Sequence, residues 1–255
     1  MTAVPAGATG PAGIRRSMSW ARAQLNRVIV AVALVGVLPV VAVLEQLSAG
    51  LGRRVAVRCA RRVGRLCGVT FSAIGIDRLD DGSSYVLVAN HSSPLDIPAV
   101  LLADGHVRFL AAAGLFRVPL LASAMRAFGT EPIDRHDTTH AYRQLAALVE
   151  STDEREPLRL AVFAEGGIAP VGERLPFKKG AFVLSIDAGA SVVPVAIHGT
   201  GDLLPPGAHL GLRPGAVVVE VLEPLPTAGL TGADVNDLRA QVEQLVTARL
   251  RPPLT

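Results

Sequence analysis

Residues 85–96 read Tyr85-Val86-Leu87-Val88-Ala89-Asn90-His91-Ser92-Ser93-Pro94-Leu95-Asp96. The first five form an unbroken apolar run, the composition of a strand buried on both faces. A polar loop follows, and Pro94 ahead of a second apolar stretch signals a helix start. Strand, loop and helix in that order form the repeating unit of an α/β sheet, where reactive groups collect at the ends of buried strands. A histidine at such a place can take a proton from a hydroxyl near neutral pH. The turn at Pro94 brings Asp96 back toward the ring, where a carboxylate orients the imidazole and stabilises its cation. Asp96 has a competing role as the cap of the helix that follows. The spacing is short enough to arise by chance, so the loop alone leaves both roles open.

Outward from this stretch, apolar runs and turn residues alternate. Strands are predicted over Val69–Ile76, Val107–Ala111, Glu131–Ile133, Leu158–Phe163, Val192–Ile197 and Val217–Leu222, with a turn at Asp80-Asp81-Gly82. Helices are predicted over Ile97–Asp104, Val118–Phe128, Thr138–Thr152, Gly180–Ala188 and Ala233–Leu250. The fold class is therefore α/β, a mixed and largely parallel sheet covered by helices, with residues 69–255 as one domain.

The 255 residues are half apolar and carry a net charge of +3, unevenly spread. Ten arginines against the single Glu45 give residues 1–70 a charge of +9, so the remainder carries −6. A basic front end on an acidic body points to an anionic partner held at one place. Nucleic acid is excluded as that partner, because no base-stacking aromatics interleave with the arginines. The neighbouring sequence indicates a membrane instead. Val28–Leu44 is seventeen residues without a charge, close to the lower limit for crossing a bilayer core about 30 Å thick. A signal peptide cleaved near Ser48-Ala49-Gly50 is the alternative, although the run is longer than a usual signal core.

Beyond it, Arg54, Arg58, Arg61, Arg62 and Arg65 share one helical face, with Val55, Cys59, Val63, Leu66 and Cys67 on the other. That is the pattern of an interfacial helix with its arginines among anionic headgroups. Residues 1–27 are expected to be a disordered basic tail, and 28–68 a membrane anchor with this basic helix. Cys59 and Cys67 fit neither a disulfide framework nor a metal site, which places the catalytic part in a reducing compartment, the cytoplasmic face of the cell membrane. No phosphate-binding glycine loop, dinucleotide fingerprint or metal cluster is present, so no cofactor is expected.

Five blocks then occur in order: Asn90-His91…Asp96; Gly129-Thr130-Glu131-Pro132-Ile133-Asp134-Arg135; Phe163-Ala164-Glu165-Gly166; Leu175-Pro176-Phe177-Lys178-Lys179-Gly180; and Val193-Pro194-Val195. Over residues 70–200 this series resembles the glycerolipid acyltransferase family, whose best-known members are the 1-acylglycerol-3-phosphate acyltransferases. The resemblance implies transfer of an acyl chain from acyl-CoA or acyl carrier protein to the hydroxyl of a membrane lysophospholipid. It makes His91 the general base and Asp96 its orienting partner, with no acyl-enzyme. Arg135 would help bind the acceptor's phosphate, Glu165 and Gly166 would line the acceptor site, and Lys178 and Lys179 would hold a phosphate nearby. Val193-Pro194-Val195 reads as a buried strand, and His198 as structural.

One departure bears on the acceptor. The family's third block usually reads Phe-Pro-Glu-Gly-Thr-Arg, whereas Gly167 and Ile168 stand here at the Thr and Arg positions. A guanidinium contact to phosphate is lost. Either Arg174, Lys178 or Lys179 replaces it, or the acceptor differs from lysophosphatidic acid. Two competing classes remain: a serine hydrolase using Ser92 or Ser93, which lacks the Gly-x-Ser-x-Gly elbow, and a catalytically silent membrane module.

Overall fold

Among the described residues, seven strands form one sheet. They are β1 (Val69–Ile74), β2 (Tyr85–Ala89), β3 (Arg108–Ala112), β4 (Thr130–Ile133), β5 (Arg159–Phe163), β6 (Ser191–His198) and β7 (Gly215–Val221). Their order is β1-β7-β6-β2-β5-β3-β4, parallel throughout except for the antiparallel β6–β7 pair. The computed structural model describes residues 11–48, 50–80, 82–117, 122–123, 125–126, 130–133, 144, 157–170, 173–208 and 210–250. The helices are α1 (Pro11–Leu47), α2 (Leu51–Leu66), α3 (Asp96–Ala103), α4 (Gly180–Asp187), α5 (Thr200–Leu203) and α6 (Val235–Arg249).

Strand β2 lies between β5 and β6 and is buried at every residue, as its apolar run requires. Its period-2 alternation feeds two cores. Tyr85, Leu87 and Ala89 join Val100, Val195 and Val219 on the face covered by α1, α2 and α3. Val86 and Val88 join Phe182, Val192 and Val242 on the face covered by α4 and α6. In α6 the buried residues Val235, Leu238, Val242 and Val246 recur at helical spacing, which fixes that helix on the sheet. The expected strands and helices that fall on described residues are present within a few residues. β1 stops at Ile74 because Gly75 turns left-handed (φ 75°). Ala122, Ser123, Met125 and Arg126 are helical within the expected Val118–Phe128 helix. The expected Thr138–Thr152 helix lies outside the described residues, Gln144 excepted.

The front end departs from expectation. Helix α1 starts at Pro11, inside the segment read as a disordered tail through residue 27. Its anchor is Asn26, fully buried, whose Nδ2 donates to the carbonyls of Cys67 (2.9 Å) and Leu212 (2.7 Å). Arg22 adds a bond to the Leu66 carbonyl at 2.9 Å. A polar amide fully buried between apolar neighbours stays there only with partners, and these partners tie the foot of α1 to the end of α2.

Helix α2 returns alongside α1. Its buried face is made of Gly52, Ala56 and Gly64 and not of its larger apolar residues; Leu66, on the apolar face expected at the membrane interface, is 62% exposed. Small residues win because the two backbones approach closely: a Cβ on Gly52 would lie 2.4 Å from the Val41 carbonyl oxygen. Glu45 closes the hairpin, its carboxylate accepting the N–H groups of Gly50 (2.7 Å) and Arg53 (3.2 Å) at the start of α2. An anion there also complements the helix dipole. Arg53 reaches the Val107 carbonyl at 2.6 Å; burial pushes its guanidinium below the ordinary value, with Glu45 and Asp104 opposing.

The close approach is testable. Gly52→Ala should destabilise the folded protein by about 1–3 kcal/mol through overpacking. Gly36→Ala, whose Cβ would meet nothing within 4 Å, should be neutral or stabilise by up to about 1 kcal/mol. Thermal unfolding of the two variants in detergent reads the difference, and equal transitions would mean the helices are not held at this distance.

Candidate functional site

Loop 90–95 leaves the carboxyl end of β2 and is pinned at three depths. Asn90, buried, donates from Nδ2 to the Ile197 carbonyl (3.1 Å) and accepts the Ile197 N–H on Oδ1 (2.8 Å), which locks the loop to β6. Ser93, fully buried, donates its hydroxyl to the Leu204 carbonyl at 2.7 Å. Asp96, also fully buried, accepts on Oδ2 from the backbone N–H of Ser92 (2.8 Å) and Ser93 (2.9 Å).

The same oxygen lies 2.8 Å from His91 Nδ1. The sequence-expected pair is therefore assembled. Asp96 is the first residue of α3, and no side-chain capping bond is made at its N-cap, Leu95. Its carboxylate turns back into the loop. Because a carboxylate only accepts, Nδ1 carries the proton and Nε2 is left with its lone pair.

The ring's other constraints come from the third block. His91 stacks on Phe163, with centroids 4.1 Å apart and planes inclined by 11°. Its backbone N–H donates to Glu165 Oε1 at 3.0 Å, and its carbonyl accepts the Ala169 N–H at 3.2 Å. Glu165 Oε2 accepts the Leu175 N–H at 3.0 Å. Both Glu165 oxygens are thus engaged by backbone, and the side chain is only 4% exposed. Glu165, which the resemblance places at the acceptor site, also clamps the His91 loop to Leu175.

Gly166 makes the turn beyond it (φ 76°), and a Cβ there would lie 3.3 Å from Lys178 Cγ. The Lys178 N–H donates to the Ala164 carbonyl at 2.7 Å, so the first lysine is fastened beside that turn, and Lys179 caps α4. Both lysine side chains are exposed. Arg135 lies outside the described residues. His198 faces Glu220 at 3.6 Å on the far side of β6. Among the described residues no group of three or more His, Cys, Asp or Glu could hold a metal ion.

Sequence reasoning missed Asn90, Phe163 and Ala169 as supports. Asn90 was detectable, since a polar residue extending a fully apolar strand must find buried partners. Ala169 acts through its N–H and carries no side-chain signal.

With the site in place, comparison with known proteins is informative. The acyltransferase family model matches residues 71–198. An uncharacterised acyltransferase of Schizosaccharomyces pombe is 37% identical over 165 residues, covering 63% of this chain and 58% of that protein. A chloroplastic 1-acyl-sn-glycerol-3-phosphate acyltransferase of Brassica napus is 33% identical over 152 residues, covering 59% and 44%. The crystal structure of the 1-acyl-sn-glycerophosphate (LPA) acyltransferase of Thermotoga maritima superposes with a TM-score of 0.70 at 22% identity, over 92% of this chain and 95% of that one. The chain belongs to the acyltransferase family and has its fold. It spans about half the length of the first two curated relatives, 58% and 44%.

The clamp predicts a measurable cost. Glu165→Gln replaces one acceptor oxygen by an amide, leaving the His91 or the Leu175 N–H without its partner. Hydrogen bonds to a charged group are worth about 1.5–3 kcal/mol, so chemical denaturation should show a loss of that order. The His91 amide resonance should shift with it; an unchanged stability and spectrum would remove the clamp.

Proposed function

We propose that this protein transfers a fatty acyl chain from a thioester donor, acyl-CoA or acyl carrier protein, to the hydroxyl of a membrane lysophospholipid, with 1-acylglycerol-3-phosphate the first acceptor to test. The observation that carries this reading is the 2.8 Å contact between His91 Nδ1 and the fully buried Asp96 carboxylate. That contact leaves Nε2 as the base. Nε2 takes the acceptor's hydroxyl proton as its oxygen attacks the thioester carbonyl. The C–O bond forms, the C–S bond breaks, and the departing thiolate takes the proton from the imidazolium. Asp96 holds the ring and stabilises its cation. Glu165 positions His91 and the segment that leads to the lysines.

An apolar cavity of about 250 Å³ between α1, α2 and α3 supports a seat for the acyl chain. Leu95 and Ile97, the neighbours of Asp96, both line it, so a chain lying there ends beside the reacting pair. Lys178 and Lys179 supply ammonium groups for the acceptor's phosphate, with Arg135 as a further ligand. The serine hydrolase reading is disfavoured by both serines. The Ser92 hydroxyl lies 3.1 Å from that of Thr200, and the Ser93 hydroxyl is committed to Leu204.

Residues 28–68 form the membrane attachment. Leu25, Val28, Val32, Val35, Val43 and Leu47 make an exposed apolar stripe along α1, each more than half exposed. Because α2 runs back beside α1, a hairpin crossing the bilayer would carry Arg54 to Arg65 into hydrocarbon at several kcal/mol each. The hairpin therefore lies in one leaflet with the arginines at headgroup level. The rest of the chain stands on the same side of the membrane, the cytoplasmic one for a chain whose two cysteines are free.

Purified protein incubated with labelled acyl-CoA or acyl carrier protein and a panel of lysolipids, with products identified by mass spectrometry, tests the reaction. His91→Ala should lower transfer by about a hundredfold or more without unfolding the protein. Near-normal turnover would remove the mechanism, and release of free fatty acid without transfer would favour a hydrolase. Ile168→Arg should improve use of lysophosphatidic acid selectively, seen as a lower KM with little change in kcat, because a headgroup contact binds ground and transition states alike. Arg135→Ala and Lys178→Ala should raise that KM; if both are silent, the phosphate is held elsewhere. Full-length protein should stay on vesicles in high salt, and release would remove the hairpin anchor.

A further inference from the structure

A second cavity, of about 420 Å³, opens between α2, β1 and α3. Arg61 and Arg65 form one wall, Thr70 and Ser72 lie along β1, and Leu102 and Ala103 of α3 form the apolar side. None of His91, Asp96, Glu165 or Lys178 lines it. Phe71 and Leu102 line both this cavity and the apolar one, standing as a shared wall between them. We infer that this groove is a seat for the phosphate-bearing headgroup of an anionic membrane phospholipid that is not the substrate. The inference rests on the membrane attachment proposed above and adds a discrete, saturable contact to it.

Three observations carry it. Arg61 and Arg65 are one helical turn apart and exposed, and no hydrogen bond or ion pair engages either guanidinium among the described residues. No acidic residue occurs in the sequence between Glu45 and Asp77, so the pair has no acid on α2 or β1 to satisfy it. Two guanidinium forks at this spacing can bracket a single phosphate, which an isolated surface arginine cannot do.

The second observation is the strand. β1 is the outermost strand, paired only with β7 among the described residues, so alternate backbone N–H groups along its other edge face away from the sheet. The third is the apolar side. Phe71, Ala99, Leu102 and Ala103 line the groove opposite the arginines. Apolar side chains flanking a basic groove suit a lipid whose head sits in the groove and whose chains stay in the bilayer. They do not suit a free ion.

The test uses full-length protein in detergent and, as probe, a short-chain phosphatidylglycerol below its micellar concentration. Binding is read by hydrogen exchange at Thr70–Ala73, which places the ligand in this groove and not at His91. Saturable slowing of those amides by phosphatidylglycerol, absent with phosphatidylcholine of the same chain length, is the expected result. Arg61→Gln with Arg65→Gln should weaken it at least about tenfold. Thr70→Trp, which fills the groove and keeps every arginine, should do the same. Arg54→Gln with Arg58→Gln, removing equal charge elsewhere on α2, should leave it unchanged.

Equal losses from the two double variants would mean a diffuse field and overturn the seat. So would equal slowing by inorganic phosphate, which would make the groove a free-anion site. A defect of the Arg61/Arg65 variant confined to transfer from acyl carrier protein, with lipid binding intact, would assign the face to donor docking and also overturn it. Vesicle flotation separates this from the reading beneath it. Protein that floats with neither neutral nor anionic vesicles refutes the membrane attachment, whereas flotation without protection of Thr70–Ala73 refutes only the seat.

Discussion

Three donors converge on one carboxylate oxygen. Asp96 Oδ2 receives the His91 ring and the N–H groups of Ser92 and Ser93 in a place with no solvent exposure. A buried carboxylate costs several kcal/mol unless hydrogen bonds replace the lost water. Only a loop wound back on itself can supply them here, so the loop's conformation and the ring's orientation are one solution. The requirement propagates outward. The loop has to leave a rigid central strand, and β2 is buried at every residue between two parallel neighbours. Asn90 then fastens the loop to β6 and Glu165 fastens it to the segment after β5, so each of β2's neighbours holds one side of the histidine.

The sheet separates two environments that meet at that loop. On one face, α1, α2 and α3 enclose apolar space bordered by Leu95 and Ile97. On the other, Phe177, Ala181 and Phe182 bind the lysine segment and α4 to the sheet while Lys178 and Lys179 remain exposed. An amphiphile with an apolar chain and an anionic head would have to straddle the carboxyl ends of the strands, where His91 stands. Under the proposed reading, the order of chemistry across the site follows from which face each helix covers.

Much of this was legible in the sequence, and the failures share a cause. Strand and helix positions followed from local periodicity, and the His91–Asp96 contact from a five-residue turn, because both are short-range. What escaped was decided by residues far apart. Asn26 looks like part of a polar tail until Cys67 and Leu212, 41 and 186 positions away, supply its partners. The face of α2 toward α1 follows from how closely two backbones approach, so Gly52 and Ala56 are buried there, while Gly64 is buried against Phe71 of β1. The antiparallel turn of β7 and the backbone partners of Glu165 likewise depend on residues that no local pattern announces. Arg135, read from the same ordered blocks, lies outside the described residues, and its role rests on the resemblance alone.

The altered third block gains a physical meaning from this architecture. Residues 163–169 do two separable things. Phe163 stacks on the ring, Glu165 and Ala169 hold the His91 backbone, and Gly166 makes the left-handed turn beside Lys178. All of these functions survive in Phe163-Ala164-Glu165-Gly166 and the backbone of Ala169. The departures fall at Gly167, where a Cβ would meet nothing within 4 Å, and at Ile168, neither of which supports the histidine. Glu165, buried beneath the His91 loop, and the glycine at φ 76° are both present. Under the proposed reading, an intact set of contacts around His91 beside an altered headgroup position fits an enzyme whose acceptor phosphate is held by other cations or whose acceptor differs, and it weighs against a catalytically silent module.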